Sequence, residues 1–215
     1  MNSYRDLLVS KADAVRDALY SAINYVPSVK YSTEKLITAI EHVSGFQVQT
    51  LVVDMERSDL RGMLLVFEST DAFSMWLEDN SGYKSQLKPI NDQAEGVGLV
   101  LLSSKCNPCW QRFTVIKEAS HLLFEAEDLL ESTDILELAK AVVEIPEPGK
   151  EDGNAELFYR DYSGIVAALE LLMPEAIRIN VTHWVNVDKQ TPYQVAEKLR
   201  IPEKFVEIRL DEWGL

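Results

Sequence analysis

Cysteine is nearly absent from this chain, with Cys106 and Cys109 the only two in 215 residues. A disulfide framework is therefore excluded, and burial and hydrogen bonding must hold the fold. Histidine is almost as scarce, at three residues, so a metal site has few positions to draw on. No apolar run approaches the ~18 residues needed to span a bilayer. Basic residues number 21 against 35 acidic ones, giving a formal charge of −14 and no basic run. That balance repels a phosphate backbone and sets nucleic acid aside as a direct partner. The opening segment carries Arg5, Asp6, Lys11 and Asp13, too polar for the apolar stretch of a secretory signal. These absences predict an acidic, cytoplasmic protein that does not enter a membrane.

What is present is ordinary globular composition, 47% apolar and 26% charged, and a chain of this size can bury roughly 70% of its unfolded surface. Leu7, Leu8, Val15, Ala18, Leu19, Ala22 and Ile23 recur with helical spacing before Pro27. A second helix is predicted from the N-cap residue Ser32, with Leu36, Ile37, Ile40 and Val43 on one face, to Gly45. Then the period shortens. Phe46, Val48, Thr50 and Val52 alternate with Gln47, Gln49 and Leu51, which predicts a strand. Met63 to Phe67 and Val97 to Leu102 are further strand candidates, separated by a short helix over Asp71 to Asp79 and a polar loop from Ser81 to Glu95.

The rest is predicted helical: Trp110 to Glu127, Thr133 to Val143, Leu157 to Met173, a helix opened by Thr191-Pro192-Tyr193-Gln194, and a last one from Pro202 to Gly214. Glu144 to Asn154, rich in proline, glycine and acid, reads as a connector. The fold class is α+β, a sheet of about three strands against a central helix. Residues 1–30 form an N-terminal helical extension, 31–150 the α+β core, and 151–215 a helical part of the same domain.

Chemistry concentrates in Gln111 to Phe124. On a helix, Lys117 and His121 lie four apart and share a face, with Glu118 three before His121. A zinc peptidase uses this geometry as His-Glu-x-x-His, two imidazoles holding the metal and the glutamate activating its water. Here Lys117 stands at the first imidazole position, and a protonated ammonium has no lone pair to offer.

Arg112-Phe113-Thr114 followed by Glu118, His121, Leu122 and Leu123 resembles the motif helix of the ImmA/IrrE metallopeptidase-like proteins. The resemblance runs in order along the chain. It takes in Leu60 to Met63, Gly98 to Ser103, Ala167 to Pro174 and the closing pair of helices through Val195-Ala196, Ile201-Pro202, Val206, Arg209-Leu210 and Trp213 to Leu215, about Ser32 to Leu215 in all. It implies a zincin-like fold and a family that cleaves, or regulates by binding, helix-turn-helix repressors, often from phage or mobile-element loci.

The third metal ligand of that family aligns with Ser163, so Lys117 and Ser163 depart from the ligand set and His121 alone remains. A catalytic zinc takes about three protein ligands and an open position. The expectation is therefore a degenerate, catalytically inactive relative with no cofactor. Glu118 is a remnant base, His121 a remnant metal ligand, and Lys117, Ser163 and Asp161 are pocket remnants. Lys117 is expected to pair with Asp161 or Glu118, replacing the lost cation by a fixed charge. The partner is a protein, a repressor-like regulator or a basic protein, with the helix around Glu118 and His121 flooring the groove that holds it. The acids from Glu125 to Glu137 read as a solvated face, with a docking surface for a basic partner as the alternative.

The alternative is a zinc-dependent endopeptidase of a repressor with a rebuilt ligand set drawn from Asp161, Glu156, His183 or the cysteines. Cys106-Asn107-Pro108-Cys109 reads as a turn rather than a dithiol site, and His42 and His183, the latter in a strand or loop, as ordinary surface or packed histidines.

Overall fold

The structure is a computed structural model, and it describes residues 10, 12–17, 32–55, 61–124 and 154–215, with 154–162 described as backbone only. The predicted helix over Thr133 to Val143, the connector and the acids from Glu125 to Glu137 lie outside the described residues. Of the predicted first helix, residues 12–17 are helical.

Helix α1, Thr33–Ser44, starts where Ser32 accepts a hydrogen bond from the Lys35 amide, and it ends at Gly45. Gly45 has φ 77°, a left-handed state that a side chain would strain. Strand β1 (Phe46–Val53) follows at once, then β2 (Gly62–Phe67), helix α2 (Thr70–Asp79), a 3₁₀ segment over Ser81–Gln86, and strand β3 (Gly96–Ser103). The order in the sheet is β1-β3-β2, with β3 parallel to β1 and antiparallel to β2. Burial explains the central place of β3: all its residues but one are fully buried, as a strand covered on both faces must be.

Two apolar clusters flank the sheet. Leu51, Phe73, Leu77, Val97 and Leu99 form the smaller one, beneath α2, where Phe73 and Trp76 stack with ring centroids 5.7 Å apart. The larger one takes Val48, Val100 and Leu102 from the other face and joins them to the helices that follow. Both faces of β1 are therefore partly covered. Val48 points into the larger cluster, but Val52 is 47% exposed, while Leu51 and Gln49 are buried on the opposite side. Gln49 is satisfied there by the Lys88 backbone, donating to its carbonyl at 3.0 Å and accepting from its amide at 2.9 Å. Gln47 does the same with Pro89 and Asn91. The polar loop is thus stitched to the sheet rather than free of it.

Helix α3, Pro108–Ser120, is the central helix, packed on β3, β2 and α1. Asn107 caps it by accepting from the Trp110 amide, with Pro108 at the first position, so the segment read as a turn is a helix start. The predicted end at Glu127 is corrected as well. The α-helix stops at Ser120, tightens to a 3₁₀ turn over His121–Leu123, and Phe124 is extended at φ −115° and ψ 134°.

Helix α4 (Asn154–Leu172) packs across α3, and α5 (Arg178–Asn186), α6 (Pro192–Leu199) and α7 (Glu203–Trp213) complete the chain. His183 lies on α5, not in a strand or loop. Thr191 and Gln194 form the complete reciprocal capping box expected at α6. Ala12 and Val15, fully buried, belong to the same apolar cluster as α3, α4 and α7. The mixed α+β class with a three-stranded sheet is what the sequence predicts.

Candidate functional site

Three of the residues singled out in sequence meet at the end of α3. Lys117 Nζ lies 3.0 Å from Glu118 Oε1, and His121 Nε2 lies 3.7 Å from Glu118 Oε2. The side chains are 16%, 8% and 5% exposed for Lys117, Glu118 and His121. Of the two acids named as partners for Lys117, Glu118 is in contact; the side chain of Asp161, like that of Glu156, lies outside the described residues. Ser163 is fully buried on α4.

Between Ser163 and the α3 side chains the decisive residue is Gly164, which carries no chemistry of its own. A methyl group at Gly164 would sit 2.6 Å from His121 Cε1, 2.8 Å from His121 Nε2 and 3.0 Å from Lys117 Cγ. The α4 backbone therefore rests directly on the imidazole edge, and no side chain larger than hydrogen fits between them. The signal available in sequence was the glycine itself, isolated inside an apolar helical run. Glu118 and His121 are both buried, 6% and 9% exposed.

Among the described residues no three or more His, Cys, Asp or Glu side chains are grouped to hold a metal. Lys117 presents an ammonium already in contact with Glu118, Ser163 presents a neutral hydroxyl, and Nε2 of His121 is edged by Gly164. What the arrangement provides is charge pairing: one carboxylate between an ammonium and an imidazole, away from water, where such contacts gain strength.

The other candidates are scattered. Cys106 and Cys109 are free thiols, partly exposed, at the opposite end of α3. His42 is exposed near the end of α1, and His183 is exposed on α5, its Nε2 3.6 Å from Asp188. Among the described residues no helix is long and apolar enough to cross a membrane. Each tryptophan carries a cation or an aromatic partner: Arg61 lies 3.2 Å above the Trp110 ring, Lys198 4.5 Å from Trp184, Arg209 5.3 Å from Trp213, and Trp76 stacks on Phe73.

No protein-family profile matches the chain, and no characterised protein matches it at a significant level.

Proposed function

We propose that this chain is a catalytically inactive protein of the ImmA/IrrE type, built on a zincin-like core, that works in the cytoplasm as a protein-binding regulator linked to a phage or mobile element. The observation that carries this reading is the contact of Lys117 with Glu118 at 3.0 Å, both largely buried. In a peptidase of this type the glutamate must take a proton from a metal-activated water. Here an ammonium occupies its carboxylate, and a lysine and a serine stand where two of three ligands belong. The fixed positive charge of Lys117 does the electrostatic work of the lost cation, neutralising Glu118 without opening a reactive position. The scaffold survives, and its use is recognition. Its partner is a repressor-like regulator or another basic protein, matched to a chain of net charge −14.

The test mixes the purified chain with a panel of purified helix-turn-helix repressors from its host. Complex formation is read by size-exclusion chromatography with light scattering, and repressor integrity by intact mass spectrometry, with and without zinc. A complex containing full-length repressor, indifferent to zinc, is the expected result. Zinc-dependent fragments that vanish in His121→Ala would replace this reading by the endopeptidase with a rebuilt ligand set. No complex at micromolar concentration would remove the regulator.

A further inference from the structure

The sequence contains no basic run, yet the fold assembles a basic cleft. On the side of α3 away from Lys117, roughly half a turn round the helix, a cavity of about 670 Å³ opens between the first turns of α1 and α3. Lys88, Arg112 and Arg200 line it, opposed by one carboxylate, Glu34. Three cations against one acid leave two net positive charges in a protein whose overall charge is −14. Its floor is apolar, from Ile37, Leu102 and Val115, and Thr33, Thr50 and Gln111 add neutral hydrogen-bonding groups. Its volume is within the range of small-molecule sites.

Two of the three cations, Arg112 and Arg200, are held there at a cost. The Nε of Arg112 is buried and makes no hydrogen bond among the described residues, and a buried donor left unmatched is unfavourable. Burial and the neighbouring Arg200 depress the Arg112 guanidinium below the usual arginine range, an effect that Cys109 partly offsets. Arg200 is itself held at φ 54° and ψ 49° as the C-cap of α6, a left-handed position where glycine would be the relaxed residue. Lys88 is pinned by the two Gln49 hydrogen bonds to its backbone.

We propose that this cleft binds a small organic phosphate monoester, its phosphate held by Arg112, Arg200 and Lys88 and its apolar body on Ile37, Leu102 and Val115. Paired guanidinium groups recognise oxyanions through parallel hydrogen bonds. The two excess positive charges match the roughly −1.5 to −2 of a phosphate ester better than the single charge of a carboxylate. Binding would cancel the repulsion between the arginines. The inference does not depend on the function proposed above, since it uses the other face of α3.

Isothermal titration of the full chain with phenyl phosphate, inorganic phosphate, phenylacetate and benzyl alcohol tests it. Phenyl phosphate is expected to bind most tightly, and Arg112→Gln and Arg200→Gly are each expected to weaken it about tenfold or more. Lys198→Gln, outside the cleft, should leave the affinity unchanged. Arg200→Gly should also raise the Tm of the free chain by about 2–4 °C, because it removes backbone strain and repulsion together. Four results would overturn the proposal: no binding of phenyl phosphate, equal binding of phenylacetate or benzyl alcohol, equal binding of inorganic phosphate, or an affinity untouched by both arginine substitutions. Because Arg200 is exposed, its variant keeps the fold testable even if Arg112→Gln does not fold.

Discussion

Gly164 and Lys117 show how single residues shape this molecule. Replacing Gly164 by alanine puts a methyl 2.6 Å from His121 Cε1, closer than packed carbons tolerate, and overpacking of this kind costs about 1–3 kcal/mol. Urea denaturation should register that loss for Gly164→Ala, and a His121→Ala, Gly164→Ala double variant should recover part of it. Additive losses would mean the two residues are not coupled as the geometry requires. Lys117→Met tests the neighbouring contact. It leaves the Glu118 carboxylate buried without its ammonium, which costs about 3 kcal/mol when one member of a buried pair is removed. Adding Glu118→Gln should restore most of the stability, because the charge needing compensation is then gone. The Gly164 effect rests on a contact between segments more than forty residues apart, whereas Lys117 and Glu118 are neighbours in sequence. The sequence places Lys117, Glu118 and His121 on one helix, but it is silent on what lies over them.

Among the elements, β1 and the loop after α2 separate what patterning can and cannot disclose. Strict alternation in Phe46 to Val52 predicts the strand correctly but does not tell which side is buried, because both faces of the sheet are partly covered. Period-two reasoning assumes one wet face. Gln49 is fully buried because the Lys88 backbone supplies a donor and an acceptor that match its amide. Gln49→Ala should therefore release the loop, and amide exchange at Lys88 and Asn91 should speed up well before global unfolding. Unchanged exchange would show that apolar contacts of Leu87 and Ile90 hold the loop unaided. Caps were more legible. Ser32, Gly45, and Thr191 with Gln194 act as their types predict, since a cap depends on its nearest few residues. The end of α3 was not, because the 3₁₀ turn at His121–Leu123 continues an apolar pattern without continuing the α-helix.

For the whole molecule, the widest link is ionic. Arg209 on α7 is 4% exposed; its Nη2 lies 2.8 Å from Glu170 Oε1 on α4, and its Nε donates to the Met173 carbonyl at 3.1 Å. Arg16, from the helical residues 12–17, donates to the Glu170 carbonyl at 3.0 Å. Three distant stretches thus meet at one buried carboxylate. Arg209→Met should cost about 3 kcal/mol by leaving the buried Glu170 carboxylate with the 3.9 Å contact to Arg16 in place of its 2.8 Å partner, and circular dichroism in urea should show one transition shifted to lower denaturant. A second, earlier transition would instead mean that the C-terminal helices unfold separately from the sheet. The sequence alone determined the α+β class, the caps and most strand positions, because composition, hydropathy period and capping chemistry act over a few residues. It also placed the lysine, glutamate and histidine on one turn of helix. Only the tertiary structure decided that Gly164 seals the histidine, that glutamines hold a loop, and that Lys88, Arg112 and Arg200 share a cleft. Those outcomes depend on which distant backbones approach one another, and burial with its hydrogen-bond accounting settles that across the folded chain.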